Sequence, residues 1–473
     1  MNKTKIIATI GPSSNSKQML KKLILSGMNV ARLNFSHGSY KDHERVMSRI
    51  RSLSKELHIP VAILLDLQGP KIRTGTLQDG NSVVLKKNGT VCITPKDISG
   101  TSHVISTTYS RLPRDVKKGD KILLDDGLIE LQVTSKVKNT VSCRIIHGGI
   151  LREHKGINLP GVNVSAPSLT EKDIRDINFG IKSGVDFFAL SFVRKAHDLK
   201  IIKSLINQQG ADIPVIAKIE KPEAVGDLER IVEIADALMV ARGDLGVELR
   251  PEKVPTVQKY IIQKAIAANK LVITATQMLE TMCSNPIPTR AEASDVANAI
   301  FDGTDAIMLS GETATGRYPV KAVRMMRRIA AEAEKSPFMR YNVQYEKDPE
   351  DLVTHAVAQS CVNILHEVDA KAIVSFSVSG KTSKLISKQR PSKPIYAFTP
   401  SQKIYNRLAL VWGITPFFIA PINDTKQLID AGVKVLIDKK YIKNDDLIII
   451  VTGLALTSGS TNMIKIHRVG REN

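Results

Sequence analysis

The sequence predicts an α/β chain: a (β/α)8 barrel interrupted after its third strand by an all-β domain and followed by a smaller α/β domain. Three observations predict it. Strand-like apolar runs at 6–11, 30–36, 61–67, 186–193, 214–220, 237–243, 271–277 and 305–310 mostly alternate with segments of helical period. Residues 71–166 break that alternation with short β-type runs separated by Gly, Asp and Asn turns. Behind the charged segment MRYNVQYEKDPEDL, strand and helix patterns resume.

In chain order, the first strand run leads into SSNSKQMLKKLILSG, whose helical period closes at Gly27. The second, VARLNFSHG, precedes DHERVMSRIRSLSKELH, again helical in period. The third delivers the chain at Gly69-Pro70 into NSVVLKK, GTVCITP, DKILLDD, LIELQVTSKV and TVSCRII, with no helix of three turns among them. The chain returns near Ala166-Pro167, so both crossings carry a stiff Pro junction suited to the hinges of a lid. Thr170 with Asp173 reads as a capping box, Gly184 and Gly210 close helices, and VPTVQKYIIQKAIAANK supplies a further helix between the later strands. In the last unit AIVSFS, PIYAFT, ITPFFIA, DLIIIVTG and MIKIHRV alternate with amphipathic helices. The expected domains are 1–70 with 167–340, 71–166, and 341–473.

A chain of 473 residues exceeds one ordinary core, and 42% hydrophobic with 24% charged residues is a globular balance. No apolar stretch approaches the ~20 residues of a membrane span, and MNKTKIIATIG holds too short an apolar run for a secretory signal. A cytosolic location is expected. Four cysteines without a CxxC pair fit reduced thiols. The formal charge of +20 is spread over several segments rather than gathered in one basic arm, and aromatics are only 4%. That argues against nucleic-acid binding as the main role. A positive field attracting anionic metabolites accounts for the charge.

Residues two apart on a strand share a face, so Lys218 and Glu220 of IAKIEKPEAV project together. The same spacing joins Arg242 to Asp244, and Arg32 to Asn34 and Ser36. Asp66 ends the third run, Thr276 the seventh, and Ser310 with Glu312 the eighth. In a (β/α)8 barrel the C-terminal strand tips build the active site. Glu220 and Asp244 suit Mg2+, or Mn2+, that keeps waters and is completed by substrate oxygens, and the lack of His or Cys nearby argues against zinc. Lys218 can place a point charge on a transferring phosphoryl group; the alternative is a structural ion pair with Glu220 or Asp244. Gly243 allows close backbone approach, and the turn after it can offer N–H groups to a carboxylate; a plain turn glycine is the alternative. In AIVSFSVSGKTSKLISKQRP a strand is followed by Ser377, Ser379, Gly380, Lys381 and Thr382, a cradle for a phosphate or else an unoccupied turn. It departs from a P-loop at Ser375, where the first Gly should stand.

The runs VARLNFSHG, LLDLQGPKIRTG, HKGINLPG, IAKIEKPEAV, MVARGDLGVE and TQMLETM…NPIPTRAEASDVANAIFDGTDAIMLSGETATGRYP, in this order along the chain, resemble the pyruvate kinase family. The resemblance implies transfer of the phosphoryl group of phosphoenolpyruvate to ADP, after which enolpyruvate takes a proton to become pyruvate and ATP leaves. It implies that Lys218 stabilises the transition state, that Glu220 and Asp244 hold Mg2+, and that Arg32 contacts the transferring phosphate. It further implies that Gly243, Asp244 and Thr276 line the substrate carboxylate and that Thr276 and Ser310 border the route of protonation. Arg73 and Lys155 would reach nucleotide phosphates from the lid, with Asn34 and His37 near the nucleotide. A homotetramer regulated through its C-terminal domain is also implied, with the Ser377–Thr382 cradle and the loop TGLALTSGSTN as effector site.

Two departures from the family pattern change those expectations. Asn34, Ser36, Asp66 and the carbonyl of Leu67 match the donors of a monovalent-cation site, but Lys71 stands where K+-requiring members carry Glu. Its ammonium would supply the charge of K+ and repel a bound cation, so weak or absent K+ dependence is expected. Ala455 sits where fructose-bisphosphate-sensitive members have a basic or polar run, which favours ribose 5-phosphate or AMP as effector. Two other readings predict different behaviour: a metal-dependent lyase acting through a pyruvate enolate would not need ADP, and a nucleic-acid-binding scaffold would show salt-sensitive binding and no turnover.

Overall fold

The computed structural model describes residues 2–337, 352–453 and 461–471. Among these, eight parallel strands close into a barrel: Lys5–Ile10, Val30–Asn34, Ala62–Asp66, Phe187–Leu190, Val215–Ile219, Ala237–Ala241, Leu271–Ala275 and Ala306–Leu309. Nearly every strand residue is buried, as expected when helices cover the outside and side chains fill the inside. Alternation divides each strand between two cores. Ile6, Ala8, Ala31, Leu33, Ile63, Leu65, Ala217 and Ile219 pack outward against the helices. Ile7, Val30, Ala62, Leu64, Ala189, Ile216, Met239 and Met308 fill the interior. This alternation later decides which polar tips meet.

The helices begin and end where local chemistry dictates. Ser39 with Asp42, Thr170 with Asp173 and Thr289 with Glu292 form capping boxes, each meeting two otherwise unpaired N–H groups. Gly27 closes the helix Lys17–Ser26 by donating to the carbonyls of Leu23 and Ile24. Six of the strand runs are two residues shorter than the apolar pattern suggests, and the run 186–193 keeps only the four strand residues Phe187–Leu190.

Between the third and fourth barrel strands the chain builds a six-stranded sheet and a two-stranded one, with Val91, Ile122, Leu131, Val133, Val141 and Ile145 in their core. Both crossings are tethered. The Gly69 N–H donates to Asp173 Oδ1 at 3.0 Å, and Arg194 donates to the carbonyls of Val164 and Ala166. Gly69 has φ +67°, and a Cβ there would stand 2.9 Å from the Phe192 ring, so the exit turn requires glycine.

The C-terminal unit is a five-stranded sheet in the order Ile414–Phe418, Ile395–Thr399, Ala372–Phe376, Leu447–Gly453, Thr461–Arg468, with the last strand antiparallel. It docks on the barrel base, opposite the strand tips. Lys5 Nζ donates to the Ile414 carbonyl at 2.6 Å, and the Gly413 N–H donates to Lys3 O at 2.8 Å. Lys388 and Arg390 both grip Asp305, at 2.7 and 2.9 Å. The domain boundary expected at 340 and most of the loop TGLALTSGSTN lie outside the described residues.

Candidate active site

Inward alternation carries Thr9, Arg32, Asp66, Ser191, Lys218 and Ser310 to the top of the interior. Asp66 is their hub. Arg32 Nε donates to Asp66 Oδ2 at 2.7 Å and Arg32 Nη1 to Thr9 Oγ1 at 2.9 Å. Lys218 Nζ lies 3.3 Å from Asp66 Oδ1, 2.8 Å from Glu220 Oε1 and 2.7 Å from Ser191 Oγ. Ser191 in turn donates to the Leu67 carbonyl at 2.8 Å. Glu220 Oε2 accepts the Phe192 N–H at 2.7 Å, and Phe192 has φ +54°. Of the two ion-pair partners considered for Lys218, Glu220 is the one it meets, and Asp66 rather than Asp244 is the second.

Electrostatics follow from crowding charges in a dry place. Burial works against the Asp66 charge, but Lys218 and Arg32 outweigh it and hold its carboxyl below the usual range. Burial pulls the Lys218 ammonium down, while Asp66 and Glu220 more than offset it and keep it firmly protonated. For Glu220 burial wins: even with Lys218 beside it, its pKa is raised, and the like charge of Asp244 adds to the rise. Two carboxylates repelling each other at the edge of a buried site are a donor set that a divalent cation would relieve, so the residues fit Mg2+.

Arg242 and Asp244 behave differently from the strand-tip pair expected. The sixth strand stops at Ala241, and residues 242–248 form a helix with Asp244 in its first turn. Residues two apart on a helix do not share a face. Arg242 turns outward to Asp295 at 2.7 Å and to the carbonyls of Thr276 and Gln277, so it is a support rather than a site residue. The Gly243 N–H donates to Thr276 Oγ1 at 2.7 Å, and Thr276 Oγ1 donates to Ala275 O at 2.6 Å. Thr276 has φ +67°, an unusual backbone for a β-branched residue. Glu312 is likewise a clamp, its two oxygens accepting the N–H groups of Leu279 and Ser310. The Ser310 hydroxyl is buried with no hydrogen-bond partner among the described residues.

Ser36 lies beyond the strand that carries Arg32 and Asn34, and its N–H is accepted by Asn34 Oδ1 at 3.1 Å. His37 is exposed beside them; partial burial and the neighbouring Arg73, Lys71 and Arg32 lower its pKa. Cations of the inserted β domain and the residues after the second strand thus face each other. Arg73 Nη1 donates to the His154 carbonyl at 2.8 Å, and Lys155 Nζ pairs with Asp125 at 2.8 Å. In the C-terminal unit Ser377 Oγ accepts the Gly380 N–H at 3.0 Å, Ser379 Oγ accepts that of Lys381 at 3.4 Å, and the helix Lys381–Lys388 follows with Thr382 buried in its first turn. The sequence reading missed Thr9, Ser191 and Phe192. The first two were detectable, since each falls on the inward phase of its strand.

Comparison with known proteins bears on this geometry. Family profiles described as "Pyruvate kinase, barrel domain" and "Pyruvate kinase, alpha/beta domain" match residues 1–323 and 355–467. Pyruvate kinases of Staphylococcus epidermidis and Staphylococcus aureus are 47% and 48% identical over 476 aligned residues, covering 100% of this chain and 81% of each relative. A crystal structure of a pyruvate kinase from Cryptosporidium parvum superposes with a TM-score of 0.92 at 38% identity, over 99% of this chain and 96% of that one.

Proposed function

Because the chain belongs to the pyruvate kinase family, with its reaction the transfer of the phosphoryl group of phosphoenolpyruvate to ADP, we propose that the Asp66-centred cluster is where that transfer occurs. The observation that carries the proposal is Lys218 held between Asp66, Glu220 and Ser191, a fixed and fully protonated ammonium at the mouth of the barrel. Arg32 and Lys218 bind the phosphoryl group of phosphoenolpyruvate, and their charge is preorganised by Asp66 before substrate arrives. The phosphorus–enol oxygen bond breaks as an oxygen of the ADP β-phosphate bonds to phosphorus, and Lys218 neutralises charge on the group in flight. Glu220 and Asp244 would hold Mg2+, which supplies charge neutralisation to the phosphoryl oxygens; Mn2+ suits the same donors. Gly243, Asp244 and Thr276 receive the substrate carboxylate, the Gly243 N–H exchanging its bond to Thr276 for one to substrate. Enolpyruvate gains its proton at the methylene carbon beside Thr276 and Ser310, and the unsatisfied Ser310 hydroxyl orients the donor there.

From the lid, Arg73 and Lys155 take the nucleotide phosphates, with Asn34 and His37 on the barrel side. Asn34, Ser36, Asp66 and the Leu67 carbonyl form the monovalent-cation position, where Lys71 makes K+ dispensable. The Ser377, Ser379, Gly380, Lys381 and Thr382 cradle binds the phosphate of a sugar monophosphate or AMP, and the working assembly is a homotetramer. The domain limits are 1–70 with 167–340, 71–166, and 341–473, and the place of action is the cytoplasm.

Pyruvate release from phosphoenolpyruvate, ADP and Mg2+, in Na+ and then in K+ at equal ionic strength, tests this reading. Turnover in both buffers is expected, with Lys71→Glu becoming K+-activated by about tenfold or more. A wild type that is active only with K+ discards the role of Lys71. Lys218→Met should lower kcat by about 10²–10³-fold; a kcat within threefold of wild type would remove Lys218 from the mechanism.

A further inference from the structure

Where the lid meets the barrel, two contacts converge on one buried oxygen. Asn158, on the lid strand Ile157–Asn158, donates from Nδ2 to Glu248 Oε1 at 2.8 Å, and Lys221 Nζ pairs with the same oxygen. The Glu248 side chain is 2% exposed, so these partners take the place of water around its carboxylate. Both barrel residues sit next to the proposed metal ligands: Lys221 follows Glu220, and Glu248 ends the helix whose first turn carries Asp244. The Lys221 ammonium also lies 5.8 Å from the centre of the Phe192 ring, and the Phe192 N–H is bonded to Glu220. A cavity of about 40 Å³ in the same seam is lined by Lys71, Asn158, Phe192, Lys221 and Asp244, among others.

We propose that Asn158, Glu248 and Lys221 form a latch that sets the closed position of the lid relative to Glu220 and Asp244, and thereby positions the nucleotide side of the reaction. Glu248 and Lys221 are positioning residues in this arrangement, since neither need touch substrate. Asn158 is the lid's half of the latch, and its contribution comes from a single amide N–H on a buried carboxylate. Opening the seam has two consequences. Arg73 and Lys155 move away from the ADP phosphates, which raises the KM for ADP. Water then reaches the phosphoryl group and competes as acceptor, releasing pyruvate and inorganic phosphate from phosphoenolpyruvate and water.

The latch rests on the reading that the lid carries nucleotide contacts, and a swap of amide and carboxylate between the two positions tests it. Asn158→Asp sets a carboxylate against Glu248 and should raise the KM for ADP about tenfold while changing that for phosphoenolpyruvate less than about twofold. The fraction of pyruvate released with phosphate rather than ATP should rise with it. Adding Glu248→Gln restores an amide facing a carboxylate beside Lys221, and the double variant should return both readouts to within about threefold of wild type. Asn158→Ala, which introduces no repulsion, should lie between wild type and Asn158→Asp. A KM for ADP unchanged in both single variants, or a double variant no better than Asn158→Asp, overturns the latch. Arg73→Ala in the same assay tests the nucleotide reading separately: an unchanged KM for ADP there discards the role of Arg73 and leaves the exchange to decide the latch.

Discussion

Ser310 shows how one unsatisfied atom separates function from stability. Its hydroxyl makes no hydrogen bond among the described residues, so Ser310→Ala deletes a polar group that contributes desolvation cost and no bond. Thermal stability should stay level or rise slightly, while kcat falls about tenfold if the hydroxyl orients the proton donor. A parallel loss of melting temperature and activity would show a structural role instead. Asp66 illustrates the opposite case: its two oxygens are shared between Arg32 and Lys218, so the fold itself holds both cations in place.

At the scale of elements, the barrel depends on close approach of helix to strand. Gly180 lies in the helix Glu171–Lys182, and a Cβ there would stand 2.6 Å from Phe188 Cε1 and 2.8 Å from Leu65 Cδ1. Gly180→Ala should therefore destabilise the fold by about 1–3 kcal/mol through overpacking, despite the better helix propensity of alanine. Chemical denaturation checks it; a variant as stable as wild type would mean that the Phe188 ring can yield. The same helix carries Asp173, which accepts the Gly69 N–H at the exit toward the inserted domain, so its displacement should also reach that crossing.

Elements also explain what the sequence could reveal. Period-two alternation sufficed to bring Lys218, Glu220, Asp66 and Arg32 together, because those residues belong to strands or their immediate ends. It failed at Arg242 and Asp244, where a helix starts directly after the strand and alternation ceases to predict direction. It also gave no warning about Glu312, whose carboxylate is consumed by backbone N–H groups folded around it. Thr9 and Ser191 were overlooked because a neutral hydroxyl leaves no charge signal, although alternation alone places both inward. The latch was illegible for another reason: Asn158 and Glu248 are 90 residues apart and belong to different domains.

For the whole molecule, the interface at the barrel base holds cations in a dry setting. Burial pushes Lys5 down to about 8, only partly opposed by Glu334, and its ammonium rests on the Ile414 carbonyl. The unfolded chain keeps that proton up to about 10.5 and the folded chain only up to about 8. Between those values the unfolded state binds the extra proton, so raising the pH favours the fold through this residue. Relative to Lys5→Met, wild type should gain thermal stability as pH climbs from 8 to 10. A stability difference independent of pH across that range would show Lys5 to titrate normally.

The long insertion also bears on how the barrel assembles. About 120 residues separate Asp66 from Phe187, yet the strands they end and begin lie side by side, with Ala189 in register with Asp66. Closing so long a loop from a disordered chain costs about 4 kcal/mol of entropy from its length alone. If the β unit folds first and brings its own ends together, only about 25 flexible residues remain, and the cost falls by about 1.4 kcal/mol, or about tenfold in rate. The inserted β unit would then be a folding aid: the order in which the pieces form limits how fast the ring can shut.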